Sequence, residues 1–151
     1  MILIPTEIVG KTVAIDADTL ECVNLDGRDL HRAKMQNKIL RGASFRNTDA
    51  RNAEFNHSDL READFTDACL ANAFFDGANL EGATFHGAIL SGASFVGAIL
   101  ERTDLRGISL FVVDFTDAKL DGALLDGATY EYDTLWPEGF DPARHGAILQ
   151  N

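Results

Sequence analysis

The chain is poor in the residues that staple small domains or arm active sites. It has 2 Cys, 3 Pro, 1 Trp and 2 Tyr among 151 residues. Two cysteines, Cys22 and Cys69, cannot frame a disulfide scaffold, so free thiols are expected. No apolar run approaches the roughly 18 residues of a membrane-spanning helix. The start, Met1-Ile2-Leu3-Ile4-Pro5, has neither the basic region nor the apolar core of a signal peptide. A cytoplasmic protein is expected, with no membrane partner, and the sequon Asn56-His57-Ser58 is then a coincidence. Basic residues are also scarce. Lys and Arg number 13 against 24 Asp and Glu, a formal net charge of −11. Nucleic-acid binding needs cations against phosphates, so direct binding of nucleic acid is not expected.

What is abundant is one aromatic and one period. Phe occurs 10 times, and its placement is regular. From Leu20 to Leu135, of the 24 residues at multiples of five, 14 are Leu and 7 are Phe. Two residues before each centre the chain is small, with Ala at 14 of the 24 positions. The clearest run is Ala63-Asp64-Phe65, Ala68-Cys69-Leu70, Ala73-Phe74-Phe75, Ala78-Asn79-Leu80, Ala83-Thr84-Phe85, Ala88-Ile89-Leu90. Five matches neither the 3.6 of a helix nor the 2.0 of a strand. It suits a short extended side followed by a corner. Four sides then close a square coil, and coils stack by backbone hydrogen bonds about 4.8 Å apart.

Residues four pentads apart should therefore share a side. All seven repeat phenylalanines then fall on two opposite sides, Phe45, Phe65 and Phe85 on one and Phe55, Phe75, Phe95 and Phe115 on the other. A three-sided coil would scatter them. The inward core includes Leu60, Phe65, Leu70, Phe75, Leu80, Phe85, Leu90 and Phe95. Ten of the 13 glycines sit two residues after a centre, where a type II corner needs φ > 0. Where Glu62, Asp67, Arg102 or Val112 fills that slot, a different turn is expected.

The unit Ala-(Asp/Asn)-(Leu/Phe)-x-x resembles the pentapeptide-repeat family over about 120 of the 151 residues. The resemblance implies an all-β fold, a right-handed quadrilateral parallel β-helix of about six four-sided coils. Arg28 and Lys38 depart from the pattern by placing charge in the small inward slot. An irregular first coil, or side chains that reach out of its open end, is expected there.

Three segments follow: an N-terminal cap at 1–17, the β-helix at 18–135 and a C-terminal cap at 136–151. Asp141-Pro142 marks a short helical turn in the C-terminal cap, with Gly146 as its stop. Trp136 and Phe140 should cover the last coil; a dimer surface is the other use of that end.

No catalytic, cofactor or metal constellation emerges. Gly10-Lys11-Thr12 mimics the end of a phosphate-binding loop, but Pro5 stands where the motif needs Gly. His31, His57, His86 and His145 lack ligand spacing. Carboxylates have no cleft in a filled coil, so enzymatic activity is not expected.

The surface remains. Residues 28–62 hold eight Lys or Arg, and residues 104–141 hold nine Asp or Glu against two basic residues. Arg41, Arg46, Arg51 and Arg61 could belt the second and third coils. Phe74, Phe111 and Val112 form a candidate apolar patch, and Asp114, Asp117, Asp121 and Asp126 a candidate acidic one. These point to a structural or protein-interaction module with an unidentified protein partner. The family resemblance implies an alternative, since some members imitate duplex DNA and bind type II topoisomerases. Six coils span about 29 Å, over which DNA carries about 17 charges, against a net 11 here.

Overall fold

The computed structural model describes residues 1–6, 12–15 and 19–150. Gly10 and Lys11 of the loop-like Gly-Lys-Thr lie outside the described residues. From Leu20 onward the chain winds in four-sided coils, each side bridging the side four pentads further along. Parallel bridges link Asn24–Ser44–Asp64–Thr84–Asp104–Leu124 on one side and Lys34–Glu54–Phe74–Ser94–Asp114 on another. The side of the leucines reads Ile39–Asp59–Asn79–Ile99–Lys119. The fourth side runs Asp29–Asp49–Cys69–Ile89 and resumes at Ser109–Thr129. The missing step lies beside Ile108 and Val113, branched residues in the slot that Ala occupies elsewhere.

The regular rungs make the same bonds. Leu60 N–H donates to Asn79 O at 2.7 Å, Glu62 N–H to Glu81 O at 2.9 Å, and Asn79 N–H back to Ser58 O at 2.9 Å. The corner is closed by Ala63 N–H to Leu60 O at 3.1 Å. One corner amide per pentad is left outside this ladder, and the Asp or Asn before the centre accepts from it. Thr66 N–H donates to Asp64 Oδ1 at 2.9 Å, and the same contact joins Asn79 to Glu81 and Asp114 to Thr116. This is the physical role of the acidic or amide residue in the repeat: a side-chain acceptor for a backbone donor that the coil cannot satisfy. Where Ser44 and Ser94 replace it, Asp26 and Asp76 of the preceding coil accept from Arg46 N–H and Val96 N–H instead.

The interior is filled by two ladders of phenylalanine. Phe55, Phe75, Phe95 and Phe115 stack with centroids 4.9, 4.8 and 5.2 Å apart. Phe45, Phe65 and Phe85 stack at 4.7 and 4.9 Å. The ladders meet edge to face, as Phe65 and Phe75 do at 5.6 Å and 86°, a favoured arrangement of ring quadrupoles. Leu60, Phe65, Leu70, Phe75, Leu80, Phe85, Leu90 and Phe95 are all fully buried.

The corners differ from the sequence-based expectation. Every fifth residue from Cys22 to Gly127 has φ between 52° and 74°. Glu62, Asp67, Arg102 and Val112 adopt the same left-handed backbone as the glycines, with φ of 60°, 57°, 56° and 59°. The positive φ of the corner is kept at all four. At Glu62, Asp67 and Arg102 a ladder bond from the corner amide to Glu81 O, His86 O and Asp121 O of the next coil fixes the geometry, and the side chain accepts the strain. For the β-branched Val112 that strain is largest.

The last coil also departs from the expected register. Ser94 bridges Asp114, but Asp114 in turn bridges Leu135 and not Thr134, a step longer by one position. Thr134 takes the small inward slot, where its hydroxyl donates to Leu110 O at 2.8 Å, as Ser58 donates to Met35 O. Leu135 is therefore not an inward centre and is 51% exposed. One extra residue between Tyr130 and Thr134 turns it outward and delivers Trp136 to the column of Phe115.

At the start, β1 (Ile2–Pro5) pairs antiparallel with β2 (Thr12–Ile15). Ile4, Val13 and Ile15 join the main core, and Lys34 N–H donates to Pro5 O at 2.8 Å. Arg28 and Lys38 are exposed. The Arg28 guanidinium leaves the coil and donates to Ala14 O at 3.1 Å. At the other end β3 (Thr129–Tyr130) pairs parallel with β4 (Ile148–Leu149). Between them lies a 3-10 helix, Pro142–His145, with Asp141 accepting from Ala143 N–H and Gly146 at φ 84°.

Candidate interaction surface

The filled core leaves only the outside for function. Its first feature is a set of Arg–carboxylate pairs. Asp49-Ala50-Arg51, Asp59-Leu60-Arg61 and Asp104-Leu105-Arg106 share one geometry. The aspartate and arginine flank an inward centre, so both point outward and meet. Arg51 grips Asp49 at 2.8 and 2.7 Å, and Arg106 grips Asp104 at 2.9 and 2.8 Å. Arg61 holds Asp59 in the same way. Hydrogen bonds from these guanidinium groups hold the carboxyls of Asp49, Asp59 and Asp104 below the usual range. Burial pushes Asp64 up, but bonds from Thr66 and Arg46 outweigh it, and its carboxyl is also held low.

The expected belt of Arg41, Arg46, Arg51 and Arg61 is thus largely neutralised. Arg46 lies 2.9 Å from Asp64, and Arg41 lies 3.7 Å from Glu62. Arg41 and Arg61 share one corner with Arg102, Glu62 and Glu81, around a cleft of about 380 Å³. Arg102 pairs there with Glu81. Sequence spacing hides that contact, because the partners belong to successive coils.

The apolar candidates are dispersed. Phe74 is 41% and Val112 56% exposed, while Phe111 is half-buried. Ser94 and then Asp114 stand above Phe74 in its own column, so two coils separate Phe74 from the coil of Phe111 and Val112. The acidic candidates form a ring around the end of the rod. Asp114 lies on the side of the Phe115 column, whereas Asp117, Asp121 and Asp126 occupy three successive corners. Asp114 accepts from Thr116 N–H at 2.8 Å. Among the described residues no group of His, Cys, Asp and Glu is arranged to hold a metal, and both cysteines are free thiols.

At the acidic end the aromatic column continues. Trp136 stacks on Phe115, Phe140 on Trp136, and His145 on Phe140, at 5.0, 5.4 and 4.6 Å. Tyr130 meets Trp136 edge to face at 5.6 Å.

A family model for pentapeptide repeats matches the chain in overlapping stretches, 29–67, 39–77, 58–95 and 68–107, with eight copies. The chain belongs to the pentapeptide-repeat family. It is similar to the crystal structure of alr5209, a pentapeptide repeat protein from Nostoc PCC 7120, at 30% identity over 82% of this chain and 85% of that one, with a TM-score of 0.37. It is also similar to the pentapeptide repeat protein Rfr23 from the cyanobacterium Cyanothece 51142, at 25% identity over 78% and 86%, TM-score 0.43. Full-length QnrB1, a plasmid-mediated fluoroquinolone resistance protein, is similar at 16% identity over 87% and 93%, TM-score 0.32. No curated protein matches the chain. Parallel bridges at every fourth pentad make the chain a four-sided parallel coil, as expected of a pentapeptide-repeat chain.

Proposed function

We propose that this pentapeptide-repeat protein is a non-enzymatic, cytoplasmic module that binds another protein through its outer surface. The observation that carries this reading is the continuous core. Phe45, Phe55, Phe65, Phe75, Phe85, Phe95 and Phe115 are fully buried and stacked through the rod, which leaves no interior space for a substrate. Chemistry is left to surface charge, and charge is graded along the rod from the Arg–carboxylate pairs to the acidic end. Residues 136–151 act as a lid over the last coil in this reading. Light scattering tests the lid: the chain shortened to residue 135 should associate, whereas the full chain gives the solution state, monomer or homodimer.

The second reading is a DNA mimic that binds gyrase, favoured by the net charge of −11 on a rod. Two features weigh against it. The Arg–carboxylate pairs interrupt the negative field in the first half, and Asp114, Asp117, Asp121 and Asp126 encircle the rod instead of lining one face. A gyrase supercoiling assay separates the readings. Purified protein at low micromolar concentration should leave supercoiling unchanged. Inhibition that is abolished by replacing those four aspartates with Asn would establish mimicry instead.

A further inference from the structure

The acidic end holds an open strand edge. In the rung below it, Leu100 N–H donates to Lys119 O at 2.8 Å, Arg102 N–H donates to Asp121 O at 3.1 Å, and Ala98 O accepts from Lys119 N–H at 2.9 Å. The corresponding groups one coil later are Leu120 N–H, Gly122 N–H and Ala118 C=O. Among the described residues none of the three has a hydrogen-bond partner. Two other sides of the same coil are closed. Ile148 N–H donates to Ala128 O at 2.7 Å, and Phe115 N–H donates to Leu135 O at 2.7 Å. The chain does not lay a further rung on the leucine side, because the turn closed by Phe140 N–H and Pro137 O lifts it onto Trp136.

A cleft of about 390 Å³ stands over this edge. Lys119, Leu120 and Asp121 line it from the rung, and Glu138, Phe140 and His145 line it from across. An unpaired edge beside a cleft is a template for strand addition. The donors are two residues apart, as on the rung below, where they meet the carbonyls of Lys119 and Asp121, one on the side and one in the corner that follows it. The spacing therefore suits a peptide and not a single anion. The charge around the cleft selects the kind of peptide. Asp121 and Glu138 face it against one lysine, at the end of a chain segment that holds nine acidic and two basic residues from 104 to 141.

We propose that the Ala118–Gly122 edge takes a basic peptide of a partner protein as an additional rung that follows the side and its corner. This rests on the interaction-module reading and names its docking site. The peptide's N–H bonds Ala118 C=O, and two of its carbonyls accept from Leu120 N–H and Gly122 N–H. An apolar side chain lands above Leu120 beside Phe140, and lysines on either side meet Asp121 and Glu138.

The probe is a capped peptide Lys-Ala-Lys-Leu-Lys-Gly-Lys, titrated into the full chain while amide exchange is followed by NMR. Exchange of the Leu120 and Gly122 amides should slow at least about tenfold at saturation, with Leu100 unchanged. The same peptide with Glu in place of each Lys should not bind. Methylating the peptide nitrogen that faces Ala118 C=O should abolish the protection. Asp121→Lys with Glu138→Lys should weaken binding about tenfold or more. The site is overturned if the peptide leaves both amides unprotected, or if the acidic peptide binds equally well. It is also overturned if both amides are protected without peptide in proportion to protein concentration, since a second copy then fills the edge. The readout is confined to these amides, so capture of a partner at another surface would sink this site and leave the module reading standing.

Discussion

Trp136 stacks on Phe115 with ring centroids 5.0 Å apart and planes 15° from parallel. Every other step of that column joins centres four pentads apart, and this one is a single position longer. Register therefore predicts a contrast between neighbours. Trp136→Ala removes a half-buried ring with contacts to Phe115, Tyr130 and Phe140 and should cost about 2 kcal/mol. Leu135→Asp changes a side chain that is half in solvent and should stay within about 0.5 kcal/mol. Urea unfolding of the two variants decides it, and the reverse order would restore Leu135 to the interior.

The core should be intolerant of voids. Phe75 lies between Phe55 and Phe95 at 4.9 and 4.8 Å and meets Phe65 and Phe85 edge-on. Walls held by two backbone ladders cannot collapse, so Phe75→Ala should cost about 3–5 kcal/mol. Leu80→Asp should cost more, because it buries an unpaired charge. Thermal melting within a degree or two of the parent for either variant would be incompatible with this packing.

Corner strain can be relieved. Val112 is β-branched, has φ 59° and is 56% exposed. Val112→Gly removes the backbone penalty at little loss of burial and should stabilise the chain by about 1 kcal/mol. Glycine at the less strained Asn52 corner gives the comparison. A higher melting temperature for the Val112 variant alone is the expected result.

Acid should weaken the fold through Asp49, Asp59, Asp64 and Asp104. Their carboxyls titrate lower in the folded chain than in the unfolded one. Their contribution is therefore complete above the ordinary aspartate value of about 3.9 and is lost as pH falls through the depressed folded values. The three guanidinium partners Arg51, Arg61 and Arg106 are solvent-exposed, so the effect is modest and sensitive to salt. In melting temperatures measured from pH 7 to pH 2, the triple variant Arg51→Ala, Arg61→Ala, Arg106→Ala should fall less steeply below pH 4 than the parent. An identical acid limb would show the pairs to be without energetic consequence.

The period of five determined which side chains face inward, and its fourfold multiple determined that Phe45, Phe65 and Phe85 would stack opposite Phe55, Phe75 and Phe95. Both follow from local geometry repeated without interruption, which is why they are legible in one dimension. The left-handed backbone at Glu62 was not, because residue preference argued against it and the bond from its amide to Glu81 O in the next coil overrode that preference. Neither was the outward turn of Leu135. Its register depends on where Thr134 finds a carbonyl, at Leu110 in the coil below. The pairing of Arg102 with Glu81 and the unpaired amides of Leu120 and Gly122 likewise exist only once coils are stacked. Sequence period specifies a rung, whereas the contacts between rungs, and the place where the next rung is missing, are properties of the assembled rod.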